Sequence, residues 1–221
     1  MTSMTTPTHA NPEGPKQEPT FQTARLTFTP LAHTDAAALH ELRSEQEVMK
    51  WTRQGHPDES VQDTQKWLDN FIANNPSSTP LKAVNFAVRE VSHLELYQRN
   101  SKNGGVWERV PDRIVGTVGI WMGTSEVTGL ERSEVGYSFV PAVWGRGYAS
   151  EAVLGIAEWW FGLTAGEEEG NCQRLFAIVE KTNRGSVRVM EKCGFQSVAE
   201  AEKDGMNFEE FCLSKPKVGL S

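Results

Sequence analysis

Ser133 to Ala165 reads SEVGYSFVPAVWGRGYASEAVLGIAEWWFGLTA, and the rest of the chain is organised around this stretch. Glu134 to Val140 has the make-up of a strand. It should stop at Phe139-Val140-Pro141, because proline has no N–H to give to a ladder. Ala149, Ala152, Val153, Ile156, Trp159, Trp160 and Leu163 then recur at i, i+3 and i+4, which predicts a helix that buries this face. Between strand and helix lies the turn Trp144-Gly145-Arg146-Gly147-Tyr148-Ala149-Ser150. Backbone N–H groups in such a turn, backed by the N-terminus of a helix, form a cradle for an anion such as a pyrophosphate. By themselves the glycines are also explained as a tight turn into the helix.

Toward the N-terminus, Phe21 to Leu31 predicts a first strand with Leu26 and Phe28 inward, stopped near Pro30. Thr34 or Asp35 can cap a helix that begins at Ala36 and buries Leu39 and Leu42. Trp51 to Pro57 reads as a loop. A second helix starts at Asp58 or Ser60, with Val61, Thr64, Trp67, Leu68 and Phe71 on one face, and ends at Asn74-Asn75-Pro76. Val84 to Val91 and Arg113 to Trp121 read as a pair of strands. The polar residues 92–112 between them read as a surface insertion or a long hairpin loop. Beyond the central stretch, Arg174 to Val179 has the continuous apolar run of a buried central strand. Asn183 or Gly185 opens a short helix through Lys192, which Gly194 ends. Phe195 to Ala199 and Phe208 to Leu213 flank Asp204-Gly205 as a terminal hairpin with a connection longer than two residues. The order is strand, two helices, three strands, helix, strand, helix, two strands. That is a mixed α/β (α+β) arrangement around one sheet.

The 221 residues make one domain, expected over 21–214 after a disordered tail at 1–20. The net charge of −7 argues against a nucleic-acid footprint. It is compatible with a cationic acceptor, but acidic surfaces are common and simple solubility is the preferred account. Cys172, Cys193 and Cys212 are odd in number and form no C-x-x-C, which fits a reducing compartment better than a disulfide framework. No apolar run approaches the roughly 20 residues of a membrane span, and the start lacks the basic-then-apolar signal pattern. A cytoplasmic protein, monomer or homodimer, with no membrane or nucleic-acid partner is the expectation.

Several chemistries are excluded by pattern. Gly145 to Ser150 begins as G-x-G-x-x-G but ends in Ser and comes late in the chain, so it is not a dinucleotide fingerprint. No G-x-x-x-x-G-K-[ST] is present. Gly136 to Val140 fails the nucleophile elbow at its last position. His9, His33, His40, His56 and His93 have no metal-ligand spacing, and no metal is expected. What remains is W-G-R-G-Y-A-S-E-A from Trp144, followed by N-R-G-S-V-R-V-M-E-K-C-G-F from Asn183 to Phe195. In this order and separation, the pair resembles the GNAT superfamily of acetyl-CoA-dependent N-acetyltransferases. The nearest branch in kind is that of the ribosomal-protein N-terminal acetyltransferases, to which A-R-L-x-F-x-P-L at Ala24 to Leu31 is also similar.

The resemblance implies a mostly antiparallel twisted sheet with a splayed strand pair, flanked by about four helices. It implies acetyl-CoA as cosubstrate and direct transfer of its acetyl group to a primary amine, a protein N-terminus or a small molecule, in a ternary complex. The pyrophosphate would lie on Trp144, Gly145, Arg146, Gly147, Tyr148, Ala149 and Ser150. The pantetheine arm would pair with the strand at Phe139 and Val140 and with Asn183, which also suits a helix cap. A backbone N–H near Val140 would serve the oxyanion. Glu134 matches the family's catalytic carboxylate, and it equally fits an exposed strand-end glutamate. Ser186 matches a position near the thioester sulfur. The tyrosine that many members carry on the last helix is missing, since Val189, Met190, Glu191 and Cys193 fill that region. The rival this leaves is an acetyl-CoA-binding module that does not catalyse. The acceptor would enter between the first two helices and the terminal hairpin, near Trp51, Trp67 and Trp121.

Overall fold

The computed structural model describes residues 20–75, 83–91, 97–100, 106–109, 113–125, 129, 131–163 and 173–215. Residues 1–19 of the tail expected at 1–20, Cys172 and much of 92–112 lie outside them. Ten strands and five α-helices are described. Strand order in the main sheet is β1(Phe21–Gln22)-β2(Leu26–Pro30)-β3(Ala83–Glu90)-β6(Ile114–Thr124)-β7(Glu131–Phe139)-β8(Arg174–Glu180)-β10(Met206–Ser214)-β9(Gln196–Lys203). Every pairing in it is antiparallel except β7 with β8. The helices are α1(Ala36–Arg43), α2(Gln46–Met49), α3(Val61–Asn74), α4(Tyr148–Leu163) and α5(Arg184–Lys192). This is the mixed α+β sheet with flanking helices that the sequence predicts.

The boundaries move where tertiary contacts decide them. The first strand is two: β1 folds back on β2, and Phe21 stacks on Phe28 at 4.2 Å and on Trp159 of α4 at 5.9 Å. The short helix α2 is absent from the sequence reading. Its single turn buries Val48 and Met49 and leaves Trp51 exposed beyond it. The face expected on α3 narrows to Thr64 and Leu68, with Val61 exposed. Leu163 ends α4 exposed, at the end of the stripe that was expected to be buried. β8 is interior in the sheet, yet its burial alternates: Leu175, Ala177 and Val179 are buried, while Phe176 and Ile178 are half-buried. The terminal connection is two residues after all, because β9 and β10 run on to Lys203 and Met206. Asp204 and Gly205 both take positive φ, 52° and 76°, as a tight hairpin turn requires. Within 92–112, β4(Tyr97–Asn100) and β5(Val106–Arg109) pair as a separate two-stranded sheet.

One buried ion pair fixes the loop between α2 and α3. Asp58 accepts from Arg43 Nε at 2.6 Å, from Thr64 Oγ1 at 2.7 Å and from Gln54 Nε2 at 2.7 Å. The Arg43 guanidinium also lies 4.1 Å over the ring of Trp67, which stacks on Phe71. Trp67 is therefore a packing residue. Burial alone would raise the Asp58 carboxyl, but the hydrogen bonds from Arg43, Gln54 and Thr64 outweigh it and hold the group below its ordinary value of 3.8. A carboxyl depressed in the folded state stabilises above its unfolded value, and loses that contribution as pH falls through the folded one. In urea titrations, Asp58→Asn should therefore unfold at lower urea than wild type at pH 7. The gap between the two should close below about pH 4.

Candidate active site

The site begins at the fork between β7 and β8. On one side β7 pairs with β6 along its whole length, from Glu131–Thr124 to Phe139–Gly116. On the other it pairs with β8 only at Glu134–Phe176. Beyond Glu134 the two parallel strands part. Val140 N–H donates to Val115 O at 3.0 Å, so the donor expected for the oxyanion is used within the sheet. Backbone groups alternate in direction along a strand. Phe139 and Tyr137 therefore turn their N–H groups away from β6, toward the gap. Phe139 O accepts from Trp144 Nε1 at 2.7 Å, which folds the start of the turn back onto the strand end.

The turn itself is built as an anion cradle. Gly145 and Gly147 hold φ of 74° and 81°, the left-handed region that side chains disfavour. Glu151 N–H donates to Gly147 O at 3.1 Å as the first bond of α4. The N–H groups of Tyr148, Ala149 and Ser150 therefore have no acceptor within the helix. They sit at the positive end of a 16-residue helix. An anionic carrier fits such a donor set.

The side chains of the turn point elsewhere. Tyr148 is buried, and its hydroxyl donates to Glu90 Oε1 at 2.6 Å, an interaction that raises its phenol. Arg146 lies 3.5 Å from Glu90, so part of its charge is compensated. Arg25, which the sequence reading did not single out for this site, binds Glu151 Oε2 through Nε at 2.6 Å and the Arg146 carbonyl through NH1 at 3.0 Å. Burial would raise Glu151, but Thr23 and Arg25 hold it below its ordinary range. Its carboxylate is thereby drawn onto β1–β2.

The second motif meets the first at α5. Asn183 caps this helix, its Oδ1 accepting from Ser186 N–H at 3.1 Å. The cap uses only the amide oxygen. Cys193 closes the helix. Burial pushes its thiol up to about 11, and its Sγ donates to Ser150 O at 3.5 Å, which ties the end of α5 to the start of α4.

Side chains alternate between the faces of β7, so residues three apart lie on opposite faces. Glu134 shares a face with Trp121, its partner on β6, whose ring covers Gly136. Its side chain is 12% exposed, and its carboxylate lies 3.0 Å from Arg132 NH2. Arg132 is itself buried against Glu210 of β10 and lies 5.3 Å over Phe176. The exposed strand-end reading of Glu134 is thus excluded. Tyr137 faces the other way, toward Ser186 and Cys193 of α5. This tyrosine escaped the sequence reading. Strand periodicity separates it from Glu134, but no local signal brings α5 beside it.

Against known families, residues 25–196 match the acetyltransferase (GNAT) domain. The chain belongs to the GNAT acetyltransferases, for which acetyl-CoA is the cosubstrate and transfer of acetyl to an amine the general activity. A curated relative, the FsC-acetyl coenzyme A-N(2)-transacetylase of Aspergillus fumigatus, is 28% identical over 189 residues, covering 83% of this chain and 67% of its own. A solved GNAT-family acetyltransferase from Bacillus anthracis superposes with a TM-score of 0.64 at 20% identity, covering 88% of this chain and 98% of its own. The ribosomal-protein-S5-alanine acetyltransferase of Vibrio fischeri superposes with a TM-score of 0.62 at 18% identity, covering 90% and 98%. Among the described residues no helix is long and apolar enough to cross a membrane.

Removing one member of the buried Arg132 cluster should leave uncompensated charge. Arg132→Met is expected to lose about 3 kcal/mol in urea unfolding. Adding Glu210→Gln should recover at least about 1 kcal/mol of that loss, since it removes a stranded buried carboxylate. If the double variant is no more stable than the single one, the cluster is not coupled as described.

Proposed function

We propose that the chain is an N-acetyltransferase that joins acetyl-CoA and a primary amine in a ternary complex and transfers the acetyl group directly. The observation that carries this reading is the fork: β7 leaves β8 after Glu134–Phe176 and leads through Trp144 into the orphan donors of α4. When bound, acetyl-CoA supplies an acetyl group activated as a thioester. The N–H groups of Gly147 to Ser150 would hold its pyrophosphate, with Gly145 and Gly147 providing the turn and Arg146 a partly compensated charge. The free edge of β7, through the backbone of Tyr137 and the second lone pair of the Phe139 carbonyl, would pair with the pantetheine amides as an added strand does. Asn183 would add its amide donors.

The amine must be neutral to attack, and an alkyl amine is mostly protonated near pH 7. Glu134 is the residue we assign to receive its proton, directly or through water. Arg132 orients the carboxylate, and Trp121 beside it gives the acceptor an apolar wall. The Phe139 N–H replaces that of Val140 as the donor for the oxyanion, because the Val140 N–H is engaged with Val115. Ser186, at the first turn of α5, is assigned to the sulfur side. Acceptors would approach on the face of Glu134, opposite α4 and α5. Both a protein N-terminus and a small-molecule amine suit this chemistry.

The direct test follows CoA release at saturating acetyl-CoA over a panel of amines and N-terminal peptides, with the product identified by mass spectrometry. Absence of turnover over the whole panel, despite tight cofactor binding, would overturn the proposal. Gly147→Val should weaken acetyl-CoA binding roughly tenfold or more in calorimetry, equivalent to about 1.4 kcal/mol. Unchanged affinity would remove the turn from the site. Glu134→Gln should lower kcat by about two orders of magnitude and flatten the acid limb of the pH–rate profile. An unaltered profile would assign the proton to another group.

A further inference from the structure

The leaving-group side of the site lacks the helix tyrosine that the family resemblance implies, and β7 brings another one there. Tyr137 lies past the last pairing of β7 with β8, on the face turned to α5. Its hydroxyl oxygen is enclosed and makes no well-formed hydrogen bond among the described residues. Ser186 is the polar group that faces it, and Cys193 is the titratable one. An enclosed hydroxyl without a satisfied partner costs stability that phenylalanine would not. Its neighbour Ser186 is fixed from the backbone, since its N–H is held by the Asn183 cap at 3.1 Å. The serine side chain and its hydroxyl proton are left to settle by rotation.

We propose that Tyr137 is a positioning residue that settles it: the phenol donates to Ser186 Oγ and aims the serine O–H at the thioester sulfur. This rests on the acetyltransferase reading above and extends it to the departure of CoA. As the C–N bond forms and the C–S bond breaks, the electron pair of the latter stays on sulfur as a thiolate. The proton of the amine leaves on the Glu134 face. Ser186 and Tyr137 keep their protons and stabilise the thiolate by a chain of two hydrogen bonds, each strengthening the other. Burial pushes the phenol far above the ordinary tyrosine range, so the group keeps its proton and serves as a donor, not as an acid that gives it up. Base and leaving-group donor then sit on opposite faces of one strand, three residues apart, with the reacting carbonyl at the fork between them.

The test needs no acceptor. CoA and desulfo-CoA, which lacks the sulfur, are each bound to the full chain. The ultraviolet thiolate band of bound CoA is read as the difference between the two complexes at one pH. Cys193, pushed up to about 11, is silent in that band near neutrality. Wild type should hold a larger thiolate fraction than free CoA. Tyr137→Phe and Ser186→Ala should each reduce the excess about fivefold. The double variant should match Ser186→Ala alone, because the phenol acts through the serine. A Tyr137→Phe band equal to wild type overturns the proposal. So does a double variant in which the two losses add, or a Ser186→Ala band equal to wild type, which remains decisive should Tyr137→Phe not fold. Failure of CoA to bind at all would sink the acetyltransferase reading itself. Binding with no excess thiolate would sink only the role of Tyr137.

Discussion

Strand β7 is held along one edge and released along the other, and the site depends on that asymmetry. Its pairing with β6 is continuous, so its backbone is rigid. Its pairing with β8 is confined to Glu134–Phe176, so the donors and acceptors beyond that point have no strand to satisfy them. A free edge inside a sheet is normally a liability, since unpaired backbone groups seek partners. Here it opens into a gap walled by helices on one face and by Trp121 and Glu134 on the other. The point of parting is pinned by Arg132, buried with Glu134 and Glu210 around it. Desolvating three charges is costly, and such a cluster is weak support for stability. Its position, at the apex of the fork, ties it to the placement of Glu134.

The two cofactor-directed motifs are brought together by packing and not by their proximity in sequence. α4 and α5 meet where the Cys193 thiol reaches the Ser150 carbonyl. From the far edge of the sheet, Arg25 spans β2 to the turn, gripping Glu151 and the Arg146 carbonyl at once. These contacts leave the first N–H groups of α4 without an acceptor in the helix, and they tie the Arg146 carbonyl and the Glu151 carboxylate elsewhere. Glu151 is the clearest case. An acidic residue in the first turn of a helix is favourable to the helix dipole but would repel a phosphate. Thr23 and Arg25 take up its carboxylate.

Much of the fold was legible in the sequence because its signals are local. The stripe through Ala152, Val153, Ile156 and Trp160 has helical spacing and is buried as read. Asn183 capped the helix it was expected to open. Other features were not legible, because their cause lies far along the chain. α2 is a single turn whose apolar content is too short to show a period. The length of β9 and β10 depends on partners across the hairpin, which carry the ladder through charged residues such as Glu202 and Lys203. At the site, Glu134 was visible as a residue of the central strand, but not as a partner of Arg132. Arg25 and Tyr137 were not visible as site residues at all, since each meets the site across more than one element.

By itself, then, the sequence determined which elements form and that two motifs suit a CoA-type carrier. Periodicity, glycine placement and capping are written in neighbouring residues. Only the tertiary structure decided where β7 parts from β8, which backbone N–H groups face the gap, and that Tyr137 stands beside Ser186. Those are outcomes of sheet register and of helix docking on a particular face. A register pairs residues tens of positions apart, and a change of one residue reverses which face each side chain takes.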